Sequence, residues 1–179
     1  KERCTRSSYQ EVGGRLMTRS IITHGAMPAG SVIQTVSLGT TSGITRLQTA
    51  SSTYVATSLV NSITPKFQNS KFNVRCAVAG NTNQTTGNQE GFYMTFFRKI
   101  GSGSFANIRA TSNEHGIGQL VNMNARTHAP MLLEVIDAPN TTSEVTYKLY
   151  ARTFGSAADI EIPPGTEEHV EFVIQEIKQ

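Results

Sequence analysis

The sequence predicts an all-β fold, an antiparallel β-sandwich of the jelly-roll type preceded by an extended N-terminal arm. Two observations lead to this prediction. Thr, Val and Ile make up about a quarter of the 179 residues, and side chains branched at Cβ suit a pleated sheet better than a helix. Several short segments alternate apolar and polar residues with period two and are separated by turn residues. No apolar run approaches the roughly 18 residues of a membrane-spanning helix.

The elements follow from these patterns in chain order. Residues 1–28 show no sustained period and are predicted to form the arm, which ends in a turn before a sandwich domain at residues 29–179. Eight to ten short strands are expected in that domain, and no helix. The segments that predict the clearest strands are 32–38, 54–63, 72–78, 92–97, 105–110, 131–136, 145–151 and 170–177.

Two of these segments carry large apolar side chains on both faces. Tyr93 and Phe97 point away from Phe92 and its inward neighbours, and Tyr150 likewise opposes Tyr147. A small sandwich with two-sided strands needs a second covered surface, which a symmetric oligomer provides. Tyr93, Phe97 and Tyr150 are therefore the candidate subunit interface. The alternative is that loops of the same subunit cover them.

Two long polar segments, 80–91 and 111–118, are predicted to be loops. Their amide, hydroxyl and imidazole groups hydrogen-bond sugars well, and rigid β-scaffolds often display function on loops. The alternative is that both are ordinary solvated loops. The candidate ligand-binding residues in these loops are Asn81, Asn83, Gln84, Asn88, Asn113 and His115.

Charge is unevenly distributed along the chain, whose net charge is +3. The first twenty residues are basic and residues 159–179 are acidic. Either both ends are simply solvated, or each meets an opposite charge on a neighbouring subunit. The candidate anchoring residues of the arm are Arg3, Arg6, Arg15 and Arg19. Nucleic-acid binding is not predicted, because clustered cations with stacking aromatics are missing from the pattern.

An enzymatic function is not predicted, because no catalytic or metal-binding spacing is present. The four histidines match no zinc pattern, no nucleophile elbow occurs, and the Gly101-x-Gly103 pair leads into a strand pattern as a hairpin turn would. No cofactor and no metal are expected. Cys76 lies at an inward position of a strand and is expected to be a buried free thiol. With only Cys4 as a second cysteine, the redox compartment stays open.

Read in order, several segments resemble a virion-surface, tail-fibre-like β-sandwich domain of bacteriophages, especially marine phages, and of some large algal viruses. The resembling segments are 29–36 (AGSVIQTV), 51–55 (SSTYV), 62–65 (SITP), 70–74 (SKFNV), 91–98, 137–147 (DAPNTTSEVTY) and 173–177 (VIQEI). Each motif is weak alone, but the ordered set is fairly specific and covers roughly residues 29–179. Residues 1–28 and the acidic tail lie outside the family pattern.

The resemblance implies a trimeric virion protein without known catalytic residues. The expected function is therefore that of a non-enzymatic structural protein displayed on a phage particle, as a capsid decoration, fibre or tail component. Its expected partners are two further copies of itself and other virion proteins of the capsid or tail, with no nucleic acid and no membrane. The alternative function is that of a receptor-binding adhesin that recognises a host surface glycan.

Overall fold

The computed structural model describes residues 10–12, 15–17, 24–40, 44–83, 89–109, 116–123, 127–154, 159–164 and 169–179. Strands dominate these ranges, and the helical element among them is one 3-10 turn, His24–Ala26. None of the described residues form a helix that is long and apolar enough to cross a membrane. The strands are β1 (Gln10–Val12), β2 (Arg15–Met17), β3 (Val32–Thr40), β4 (Leu47–Thr49), β5 (Val55–Ile63), β6 (Lys71–Asn83), β7 (Gln89–Ile100), β8 (Ala106–Asn107), β9 (Gly118–Met123), β10 (Thr127–Asp137), β11 (Val145–Phe154), β12 (Asp159–Ile162) and β13 (Val170–Ile177).

Two antiparallel sheets form the sandwich. In the first sheet the order is β3-β13-β6-β10, and the short strands β12 and β4 continue alongside the far end of β6. In the second sheet the order is β5-β11-β7, with β8 and β9 both paired to the outer edge of β7. When β8 and β9 count as one strand and the β1–β2 hairpin and the short strands β4 and β12 are set aside, the remaining eight strands run 1-8-3-6 and 2-7-4-5. This is the strand order of a jelly roll, so the predicted fold class is confirmed.

The apolar core lies between the two sheets and follows the period-two alternation of the sequence. Phe72, Val74, Cys76 and Val78 of β6 all point inward, as their spacing predicts. The largest fully buried side chains come from both sheets, so each sheet covers the inner face of the other. They are Tyr147, Phe72, Phe92, Phe96, Phe172, Leu59, Met94, Leu133, Leu149, Ile160, Ile162 and Ile174.

A carboxylate ties the two sheets together where the chain crosses from β10 to β11. Asp137 ends β10 in the first sheet, and Arg98 of the second sheet donates through Nη1 to both of its carboxylate oxygens at 2.7 and 2.8 Å. The Tyr147 hydroxyl donates to Asp137 Oδ2 at 2.7 Å. Burial, reinforced by the Asp137 charge, raises the pKa of Tyr147, so its hydroxyl remains a proton donor. Each polar group enclosed here therefore has a partner.

A second carboxylate holds the crossing from β5 to β6. The Glu176 side chain is fully buried, and its Oε1 accepts hydrogen bonds from the backbone N–H groups of Lys66 (2.8 Å) and Phe67 (3.2 Å). The Ser70 hydroxyl donates to the same oxygen. These donors all belong to the connection at residues 64–70. Donors to a charged acceptor contribute more than neutral ones, so Glu176 fixes the shape of this connection.

The two ends of the sandwich domain lie next to each other. Gly30 donates its backbone N–H to Lys178 O at 2.8 Å, and Lys178 returns one to Ser31 O at 2.9 Å. The Lys178 ammonium also donates to the carbonyl oxygens of Gly25 and Met27, each at 2.6 Å. Of the predicted extended arm, the described part forms a β1–β2 hairpin and the 3-10 turn.

Two strands differ from their predicted extent. The sequence places Pro130 at a boundary before residues 131–136, but β10 begins at Thr127 and runs through the proline. Among the described strands β10 pairs only with β6, so it is an edge strand, and an edge tolerates a residue without an N–H. The polar segment 80–91 is also shorter as a loop than predicted, because β6 extends to Asn83 and β7 starts at Gln89.

Gly80 marks a close approach between the sheets, and its replacement by Ala tests the packing there. A Cβ atom at this position would overlap the Phe92 ring. We expect Gly80→Ala to lower the free energy of unfolding by about 1–3 kcal/mol, the usual cost of overpacking a core. Chemical denaturation measures this change. Gly25→Ala is the control, since its Cβ would meet nothing within 4 Å. Equal stabilities of the two variants would contradict the packing described here.

Candidate binding surfaces

The outward face of the second sheet carries aromatic rings and cations, which together we call the aromatic face. Strand alternation produces it, because every second residue of β7 and β11 points away from the core. Its members are Tyr54, Tyr93, Phe97, Phe105, Tyr150 and Phe154 with Lys99, Lys148 and Arg152.

Four of the rings form a continuous row. The rings of Phe97 and Tyr150 stack with their centroids 3.9 Å apart and their planes 21° apart. Tyr54 meets Phe97 edge-on at 5.9 Å, and Phe105 lies tilted against the other side of the row, 6.2 Å from Tyr150. Burial raises the pKa of Tyr150. Burial also raises the pKa of Tyr54, and this effect exceeds the lowering caused by the nearby Arg152. Both hydroxyls are therefore hydrogen-bond donors at neutral pH.

Arg152 covers one end of the aromatic face. Its guanidinium carbon lies 4.6 Å from the ring centroid of Tyr93 and 5.5 Å from that of Tyr54, at cation–π distance. Phe154 meets Tyr93 edge-on at 5.5 Å. As a result Tyr93 is only 4% exposed within a single chain. Of the three predicted interface residues, Tyr93 is thus covered by its own subunit, whereas Phe97 and Tyr150 are half-buried and their contact with a second subunit stays a prediction.

The other end of the aromatic face is cationic. The ammonium groups of Lys99 and Lys148 lie 5.4 and 6.0 Å from the centroid of the same ring, that of Phe105. In the described part of the chain the salt bridges are Arg46–Glu161 and Arg98–Asp137, so none of the three cations of this face has a carboxylate at ion-pair distance there. This end of the face therefore carries two ammonium groups beside one aromatic ring.

A second surface lies on the outward face of the first sheet, along β10. Leu132 is 62% exposed and Ile136 is 52% exposed. Beside Leu132 an open depression of about 510 Å³ is lined by the small side chains of β6 and by two histidines. We call this area the β10 surface. It comprises Ala77, Ala79, His128, Pro130, Leu132, Glu134, Ile136 and His169, with the exposed Glu134 between Leu132 and Ile136 on the same face of β10. Apolar exposure on an edge strand is a typical interaction site.

Of the six predicted ligand-binding residues, Asn81 is the one whose side chain the structure describes. Asn81 lies inside β6 and is only 1% exposed, and its amide donates to the Glu161 carboxylate at 3.0 Å. It is therefore a structural residue rather than a loop residue, because β6 continues past Gly80. Asn83 is the last residue of β6, and its side chain lies outside the described part. The other four predicted residues also lie outside the described ranges: Gln84, Asn88, Asn113 and His115.

The predicted charge complementarity between subunits needs a similar correction at two acidic residues near the C-terminus. Glu161 is buried and pairs with Arg46 of the same chain at 3.1 Å, and Glu176 is buried under the 64–70 connection. Neither carboxylate can meet a neighbouring subunit. Of the predicted anchoring residues, Arg15 belongs to β2, with its side chain outside the described part, and the other three lie outside the described ranges: Arg3, Arg6 and Arg19.

The segment 131–136 does not predict the β10 surface, because its residues are apolar apart from Glu134 and such a composition is typical of a strand buried on both faces. Pro130 is the signal that marks an edge strand. Within the described ranges no group of three or more His, Cys, Asp or Glu side chains is arranged to hold a metal ion.

No protein-family model matches the sequence, and no curated protein matches it significantly. Among solved structures, one match is a chain in the structure of the infectious bursal disease virus Gt strain, with 9% sequence identity and a TM-score of 0.37. The match covers 97% of the present chain and 42% of the viral chain, so the present chain spans less than half of that protein. The fold assignment therefore rests on the strand order described above.

The Cys76 thiol provides a test of core burial. Burial raises the pKa of Cys76 from its ordinary value of 9.0 to about 12, and the thiolate is the reactive form. In a Cys4→Ser variant we expect a thiol reagent at pH 8 to label the protein only after denaturant is added. Because the folded pKa is the higher one, this group stabilises the fold fully below pH 9.0 and its contribution is lost as pH rises towards 12. Equal labelling rates with and without denaturant would contradict this burial.

Proposed function

We propose that this chain is a non-enzymatic structural protein displayed on a virus particle. The observation that carries the proposal is the strand order 1-8-3-6 and 2-7-4-5, because double-sheet jelly rolls are typical of viral capsid domains. Lectin domains and cupins share that architecture, so the fold alone does not decide the function. The ordered resemblance of residues 29–179 to virion-surface domains supports the viral role and makes a bacteriophage capsid decoration, fibre or tail component the proposed setting.

The β10 surface supports self-association, which we propose to be trimeric. Leu132 and Ile136 are the two most exposed large apolar residues among the described side chains. Leu132 borders a depression lined by Ala77 and Ala79, which offers room for an apolar side chain of another subunit. Aliphatic side chains exposed to this extent on one edge strand gain free energy when a second copy covers them. A threefold axis beside β10 would bring the three copies of this surface together.

Leu132→Glu tests this assembly. We expect light scattering on a sizing column to give a mass near three chains for the unmodified protein and near one chain for the variant. A charge buried without a partner in an interface should weaken association by about 2 kcal/mol or more, roughly thirtyfold. Val32→Glu is the matched control, since Val32 is 44% exposed but lies on β3, away from β10.

Three results would count against parts of this proposal. A monomeric unmodified protein would overturn self-association. A trimeric Leu132→Glu variant would move the contact elsewhere, with Phe97 and Tyr150 as the next candidates. Dissociation of the Val32→Glu control would show that the effect is not specific to the β10 surface.

The arm at residues 1–28 is proposed to anchor the sandwich to other virion proteins of the capsid or tail. Its connection to residue 29 leaves the sandwich beside Lys178, at one end of β3 and β13. We expect removal of residues 1–23 to leave the unfolding transition of the sandwich unchanged, because the Lys178 contacts begin at Gly25. The same truncation should abolish incorporation into particles, measured by the protein content of purified virions. Normal incorporation of the truncated protein would contradict anchoring by the arm.

The alternative function, a receptor-binding adhesin for a host surface glycan, is favoured by a different observation. Lys99, Lys148 and Arg152 share one face, and no described carboxylate lies at ion-pair distance from them. An attachment role and a structural role are compatible, because they use opposite faces of the sandwich.

A further inference from the structure

At the cationic end of the aromatic face, no described carboxylate lies at ion-pair distance from the lysines. Lys99 is in register with Thr146, and Lys148 is in register with Phe97, so the two lysines are diagonal neighbours on adjacent strands of one face. Like charges at such positions repel each other. Elsewhere in the described structure, charged side chains such as Arg98 and Arg46 approach carboxylates. An anion bound between the two ammonium groups would relieve the repulsion that this end of the face maintains.

Phe105 gives the two lysines a fixed place. Both ammonium groups lie within 6.0 Å of its ring centroid, and the ring itself packs against Tyr150. Cation–π contacts orient an ammonium group without replacing its N–H donors, which stay available to an acceptor. The Tyr150 ring borders the same place. A ligand there would meet two charged donors beside an apolar ring edge, which suits a molecule that combines anionic groups with C–H surfaces.

The same geometry argues against two other occupants. Nucleic-acid bases bind single-strand platforms by stacking on open ring faces, but the stacked faces of Phe97 and Tyr150 lie against each other at 3.9 Å, and Arg152 covers Tyr93. A protein partner would favour exposed apolar side chains at the centre of its contact. The most exposed of these lie on the β10 surface instead, at Leu132 and Ile136.

We propose that Lys99, Lys148 and Phe105 form a binding site for an acidic saccharide, with the two ammonium groups on its anionic substituents and the rings of Phe105 and Tyr150 against its sugar C–H groups. This inference rests on the attachment role and specifies its ligand. It is independent of how copies assemble through the β10 surface.

The probe is an oligogalacturonate, a saccharide with one carboxylate on each sugar, and its methyl ester is the neutral control. Titration calorimetry on the unmodified protein at low salt should show binding of the acid and none of the ester. Lys99→Gln and Lys148→Gln should each weaken binding about tenfold, the usual effect of losing one charge-assisted hydrogen bond. Lys71→Gln is the matched control, because Lys71 is an exposed lysine on the first sheet, and it should bind as the unmodified protein does.

Several outcomes would overturn the proposal. Binding of the methyl ester, or equal losses in Lys71→Gln, would show that the two lysines do not recognise the anionic groups. Equal affinity for a single-stranded DNA oligomer of the same charge would show general polyanion binding rather than a saccharide site. No binding of the oligogalacturonate at all would also reject it.

The assembly measurement is separable from this test. Leu132→Glu should still bind the oligogalacturonate, and the lysine variants should keep the mass of the unmodified protein. A loss confined to one of the two readouts therefore identifies which proposal has failed.

Discussion

The jelly roll depends on a chain that crosses between its two sheets at most of its long connections. At each crossing, backbone N–H and C=O groups leave the hydrogen-bonded ladder of a sheet. They need other partners wherever water is excluded. Two carboxylates act beside these crossings. Glu176 accepts hydrogen bonds from two backbone N–H groups and one hydroxyl of the β5–β6 crossing, whereas Asp137 accepts them from the side chains of Arg98 and Tyr147 beside the β10–β11 crossing. The apolar core holds the sheets face to face, and these carboxylates set where the chain passes from one to the other.

Period-two alternation predicts most of this fold. Residues 72–78 and 145–151 show it clearly, because every second side chain of each strand lies in the core and the alternate side chains point away from it. The short strands β4 and β12 escape prediction, since three or four residues contain too little pattern. Strand ends also escape it. Asn81 is of a residue type that is common in loops. It is nevertheless buried in β6, because β12 pairs beside it and supplies the Glu161 carboxylate to which its amide donates.

The sequence predicts only part of the candidate surfaces. Alternation identifies Tyr93, Phe97 and Tyr150 as outward residues, which the structure confirms. Which of them a single chain covers depends on register: Tyr93 lies opposite Arg152 across the β7–β11 ladder, and no local pattern reveals that pairing. The β10 surface likewise depends on the whole topology. Leu132 points to the outer face of the first sheet and is exposed because no other described element packs over it there.

The meeting of the two ends of the sandwich has a consequence for how such a domain can be reused. Gly30 and Lys178 are hydrogen-bonded neighbours, so the chain enters and leaves the domain at one point. A domain with adjoining ends can be inserted whole into a surface loop of another protein, or joined end to end and reopened elsewhere, without separating its strands. In engineering terms the sandwich is a scaffold whose two ends need only a short linker.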